Sequence, residues 1–126
     1  MKRTPLSPMS KKRRRDLDTR RQVIRVVHER DTDCVFMATA WGLRGITELH
    51  DGDLQLFPAQ CGGPLDVHEI VQRSVRPSAW LEPDLAVLLC RVHHASLDEH
   101  PAAAMRLGLL ANSWDADNFR NGERIR

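Results

Sequence analysis

The chain has 126 residues, 41% of them hydrophobic and only 5% aromatic, with 29% charged residues and a formal net charge of +2 at pH 7. That is apolar material for one modest core and too little for a second folded unit, and a core so poor in aromatic rings predicts stapling by a metal ion. No apolar run approaches the roughly 20 residues that cross a bilayer, and the basic amino terminus has no apolar stretch behind it, so a soluble, intracellular protein without a membrane partner is expected.

Lys2, Arg3, Lys11, Lys12, Arg13, Arg14 and Arg15 all precede the first acidic residue, Asp16. With Pro5, Ser7 and Pro8 among them, residues 1–15 read as a disordered basic arm. Such an arm binds phosphate with salt-sensitive affinity and no sequence preference. Lys11, Lys12, Arg13, Arg14 and Arg15 are therefore candidate nucleic-acid contacts, against the plainer reading of a solvated tail. From Asp16 or Asp18 the pattern turns helical, with Leu17, Val23, Ile24 and Val27 near one face and Arg20, Arg21, Arg25 and Arg30 mostly on the other. The helix is expected to end at residues 31–33, and Cys34 follows at once. Residues 35–60 scatter Trp41, Leu43, Ile46, Leu54, Leu56 and Phe57 between Gly42, Gly45 and Gly52. They read as an insertion with a hairpin around His50 to Asp53.

The chemistry is concentrated between Cys61 and His100, where CGGPLDVHEIVQRS is followed, after a spacer, by LAVLLCRVHHASLDEH. Gly62, Gly63 and Pro64 permit the tight turn by which a knuckle wraps sulfur around zinc. Cys90 and His93 form a C-x-x-H pair, which reaches one ion from a strand end and the turn after it. A Cys34, Cys61, Cys90 and His93 set uses every cysteine and completes a closed tetrahedron, the form of a structural zinc site. The competing reading leaves Cys34 and Cys61 as buried apolar side chains. A second centre is suggested by the remaining histidines. His68 ends a strand at Leu65 to Val67, Ala86 to Leu89 is its expected hairpin partner, and a helix begins near Ala95 to Glu99. His68, Glu69, His94 and Asp98 then converge, Asp98 lying one helical turn beyond His94.

On these residues the stretch from Cys61 to Leu110 resembles the HNH endonuclease family in its bacteriophage form. VHEIVQRS is similar to the first motif, with His68 in the metal slot, Glu69 in the general-base slot, and Arg73 and Ser74 retained. Cys90, His93 and His94 match the closing knuckle and its metal-binding histidine, and Asp98 stands where many members carry a further His. HPAAAMRLGLL, with Pro101 suited to a first helical turn and Gly108 to its end, resembles the tail. The resemblance implies an α+β chain built on a small ββα-metal core, stapled by structural zinc and flanked by helices and the basic arm. The domain would span residues 16–114, followed by a tail at 115–126.

The implied function is hydrolysis of DNA phosphodiester bonds, with Arg73 and the arm on nucleic acid. A catalytic cation, Mg, Mn, Ni or Zn, would sit on His68, His94 and Asp98. DNA and phage DNA-packaging proteins are the implied partners, in the cytoplasm of a phage-infected or prophage-bearing bacterium. Three departures stand out. Glu69 replaces the usual histidine, so that either Glu69 or His68 is the base. Leu85, beside Asp84, replaces the central asparagine, and residues 35–60 separate Cys34 from Cys61. These departures keep open an alternative, a non-catalytic zinc module that binds nucleic acid or a partner protein.

Overall fold

The computed structural model describes residues 9–41, 44 and 51–125. A first helix, α1, runs Lys11–Asp31. Its start differs from expectation, because residues 11–15 belong to the helix rather than to a disordered arm. The proline and serine signals all lie before residue 9, Lys and Arg are good helix formers, and Ser10 caps the end by accepting the Arg13 N–H at 3.1 Å. The rest of the arm, residues 1–8, falls outside the described residues. The first turn carries no acidic side chain, so its exposed cations stand against the helix dipole. The carboxyl end is set by Thr32, which adopts a left-handed φ of 57° and returns its N–H to His28 O.

Two short helices follow, α2 (Phe36–Ala40) and α3 (Asp51–Leu54). The hairpin expected at 50–53 is therefore absent over Asp51–Asp53, a helical turn standing there, and His50 lies outside the described residues. The region is no loose excursion: Cys34, Val35, Phe36 and Phe57 are buried in the main core. Asp53 accepts two bonds from Arg106 at 2.7 Å each, fixing α3 against the later chain.

Strand β1 (Leu65–Glu69) pairs antiparallel with β2 (Ala86–Cys90), in the register Leu65↔Cys90, Val67↔Leu88 and Glu69↔Ala86. Side chains alternate across such a ribbon, and its two faces are buried against different partners. Leu65, Val67, Ala86 and Leu88 pack on Val23 and Val27 of α1. Val87 and Leu89 belong to the main core with Leu97, Leu107 and Leu109, which makes β2 buried along its whole length and explains its unbroken apolar run AVLLC. The end of α1 is clasped to β2 by polar groups: Arg30 donates to Pro83 O at 2.9 Å and to Ala86 O, while Asp31 accepts the Leu88 N–H at 3.0 Å.

Helix α4 (Arg91–Glu99) leaves β2 without a loop, and α5 (Pro101–Arg106) follows. Pro101 at the first turn and Gly108 at φ 73° bound α5 as the sequence predicts. The last segment corrects the expectation of a tail at 115–126. Strands β3 (Phe119–Arg120) and β4 (Glu123–Arg124) form a second antiparallel pair, and Ala116 and Phe119 are buried in the main core. Asn121 and Gly122, at φ 53° and 77°, make the tight turn that favours Asn-Gly. A Cβ at Gly122 would stand 2.7 Å from Ala86 O and 2.5 Å from Val87 Cγ1. Gly122→Ala is therefore expected to lower stability by about 1–3 kcal/mol through left-handed strain and overpacking. Urea unfolding measures the loss, and an unchanged midpoint would remove this packing account.

Candidate metal centre

Four elements deliver the cluster. Cys34 follows α1 where the chain turns toward α2, and its N–H is held by Asp33 Oδ1 at 2.8 Å. Cys61 opens the Gly62-Gly63 turn, Cys90 ends β2, and His93 lies in the first turn of α4. The turn needs glycine at residue 63, whose φ is 78° and whose added Cβ would stand 2.8 Å from Arg91 Cβ. One ligand atom from each of Cys34, Cys61, Cys90 and His93 lies within 4.8 Å of all the others.

The geometry fits a tetrahedral ion. His93 Nδ1 is 3.5 Å from Cys34 Sγ, 3.6 Å from Cys61 Sγ and 3.1 Å from Cys90 Sγ. Metal–sulfur bonds of about 2.3 Å and metal–nitrogen bonds of about 2.0–2.1 Å give a tetrahedral S···N edge of about 3.6 Å. The tautomer fits as well: His93 Nε2 lies 2.7 Å from Pro58 O, so Nε2 carries the proton and donates, which leaves the Nδ1 lone pair facing the sulfurs. Phe36 stacks on the His93 ring, with centroids 4.1 Å apart and planes at 16°.

The sulfurs are electrostatically unequal. Desolvation, then the neighbouring Cys34 and Cys90 sulfurs, push the Cys61 thiol up to about 12. Burial raises Cys34. Burial works against ionising Cys90 too, yet the N–H donors of His93 at 3.4 Å and Gly62 at 3.5 Å bring it below the ordinary thiol value. Ionising all three crowded thiols requires a cation to offset the repulsion between the thiolates, so the chemistry of this donor set fits a divalent metal.

The other predicted site residues divide across β1. His68 is 7% exposed, and its Nε2 donates to Leu109 O at 2.6 Å. Burial, more than any other influence, lowers it to about 4. The His68 and His94 rings lie edge to face with centroids 5.1 Å apart. His94 and Asp98 both line a groove of about 640 Å³ between α1 and α4, over the open edge of β1, together with Arg20, His28 and Arg91. Glu69 belongs to the other face of the strand. Its Oε1 accepts from Arg73 at 2.7 Å and lies 3.9 Å from Arg20, and Arg73 in turn lies over the Trp80 ring at 5.1 Å. The expected convergence thus brings His68 to His94, with Asp98 in the adjoining groove, while Glu69 is tied to arginines on the α1 side. Among the described residues, no second group of three metal-ligating side chains meets the spacing of the Cys3His cluster.

One site residue escaped the sequence reading. Asp66 Oδ2 lies 3.2 Å from His94 Nδ1, and Arg91 grips the same carboxylate at 2.8 and 3.0 Å. Arg91 first, then His94, hold the Asp66 carboxyl at about 2. The signal was available: Asp66 and His68 are two apart on one strand and so share a face.

Among the described residues no helix is long and apolar enough to cross a membrane. No protein-family model matches the chain, and neither the curated proteins nor the solved structures compared with it include a similar one.

Proposed function

We propose that the protein is a metal-dependent DNA endonuclease of the HNH type, its Cys3His cluster holding structural zinc. The observation that carries this reading is the pairing of His68 with His94, 5.1 Å apart, on a strand–strand–helix unit whose first helical turn also supplies His93. His68, donating through Nε2 to Leu109 O, keeps Nδ1 as its lone-pair nitrogen, as a ligand oriented by a hydrogen bond does. His68 and His94 would hold the second cation, with Asp98 at its margin. Mg, Mn, Ni or Zn in that place supplies charge neutralisation at a scissile phosphate and its leaving oxygen. Exposed Lys11, Lys12, Arg13, Arg14 and Arg15 on α1, with Arg73, offer phosphate contacts that favour DNA as the partner. The phage-like motif pattern favours work beside DNA-packaging proteins in an infected or prophage-bearing bacterium.

A second reading, a non-catalytic zinc module for nucleic acid or a partner protein, is favoured by one observation: Glu69, in the base slot, is ion-paired with Arg73. Plasmid nicking with Mg, Mn, Ni or Zn supplied in turn separates the two. The nuclease reading expects EDTA-sensitive nicking that falls at least about 100-fold in His94→Ala. No nicking with any metal, in a protein that binds DNA and one zinc per chain, selects the module. Glu69→Gln tests the base slot separately: full activity removes Glu69 from the chemistry and leaves the cation ligands standing.

A further inference from the structure

We infer that Asp66 is a positioning residue for His94, holding its ring in the Nδ1–H form so that Nε2 is the lone-pair nitrogen. The geometry is specific. Asp66 Oδ2 lies 3.2 Å from His94 Nδ1, and a carboxylate can only accept, so the shared proton belongs to the imidazole. Which ring nitrogen is basic is decided by the hydrogen bond the other one makes. Arg91 prevents the carboxylate from turning away: its Nε meets Oδ2 at 2.8 Å and its Nη2 meets Oδ1 at 3.0 Å, the two-pronged contact that fixes a carboxylate plane. Asp66 is also held from behind, since its residue is paired with the fully buried Leu89 across the ribbon.

The arrangement complements that at His68. There a backbone carbonyl binds Nε2, while at His94 a carboxylate binds Nδ1, so the two neighbouring rings are set in opposite tautomers. Each contact leaves one nitrogen of its ring as a donor to a cation. The use of His94 Nε2 for a cation rests on the nuclease reading; the tautomer itself does not.

Long-range proton–nitrogen NMR of the full chain, labelled at histidine, loaded with one equivalent of zinc and held near pH 8, above the ordinary histidine range of about 6.5, reads the tautomer. His94→Gln identifies the resonance. The expected result is a protonated Nδ1 in the wild type, a shift of the proton to Nε2 in Asp66→Ala, and retention of the wild-type pattern in Asp66→Asn, whose amide oxygen still accepts. Nicking should fall about 10–100-fold in Asp66→Ala, the usual cost of losing a ligand's orienting partner, and recover in part in Asp66→Asn. A wild-type His94 protonated at Nε2, or an Asp66→Ala spectrum identical to wild type, overturns the inference. If the tautomer changes as expected while no protein nicks DNA, the positioning role stands and the nuclease reading falls alone.

Discussion

Cys90→Ser is expected to abolish the cooperative fold. Cys90 is 2% exposed and sits where β2 becomes α4, its sulfur capping the His93 N–H and meeting the Gly62 N–H. Structural zinc contributes an apparent binding free energy of about 10–16 kcal/mol near neutral pH. A domain of this size is ordinarily stable by about 5–15 kcal/mol. Losing the metal therefore removes as much stability as the folded state holds. The check is metal analysis paired with circular dichroism: one zinc per wild-type chain, none in the variant, and a flat thermal melt. Cys61→Ser should be milder, since Cys61 is exposed on a loop and its loss leaves three ligands within an intact core. A Cys90→Ser protein that melts cooperatively at the wild-type temperature would remove the cluster from the stability account.

Acid should destabilise the protein in a way traceable to His68. Its folded-state value, about 4, lies below the ordinary 6.5 because burial disfavours the charged ring. Between those values the unfolded chain binds a proton that the folded chain does not, so stability is full above about pH 6.5 and falls as pH drops toward 4. At about 1.4 kcal/mol for each pKa unit, this group alone costs roughly 3 kcal/mol by the lower end of that range. Zinc release adds its own proton uptake at the thiols, so the quantity to measure is a difference. Urea unfolding from pH 7 to pH 4.5 should be shallower in its pH dependence for His68→Asn than for the wild type, by up to one proton. Equal slopes would show that His68 titrates normally in the folded protein.

What could be read in the residues depended on how local the signal was. The C-x-x-H pair, the Gly-Gly turn and the short apolar strands beside them are short-range patterns, and β1, β2 and the cluster lie where those patterns put them; α4 begins at Arg91, a turn before the expected Ala95, because Cys90 caps it and His93 falls inside its first turn. Only Cys34 needed a long-range argument, the ligand count, because 26 intervening residues hide its approach to Cys61. The start of α1 was misplaced because a run of like charges reads as disorder, whereas Ser10 supplies the cap that settles it. The closing hairpin was passed over although Asn121-Gly122 is the strongest short turn signal in the chain; Phe119, the apolar residue it carries into the core, stands almost alone in a polar stretch. The side assumed by Glu69 was missed for another reason. Adjacent residues on a strand face opposite ways, so a motif that writes His68 and Glu69 together in sequence separates them in space.

The spread of the four ligands along the chain has a consequence for synthesis. Cys34, Cys61, Cys90 and His93 leave the ribosome in that order, and the coordination shell stays incomplete until His93 has emerged. Until then α1 lacks β2, the surface on which Val23 and Val27 are buried, and the two early thiols are open to oxidation or to a wrong metal. Vectorial synthesis thus puts the completion of the metal site no earlier than the arrival of the Cys90–His93 segment, with Leu97, Leu107, Leu109 and Phe119 of the core still to follow. A nascent chain stalled before it should remain sensitive to protease with zinc present, and one stalled well beyond it should resist.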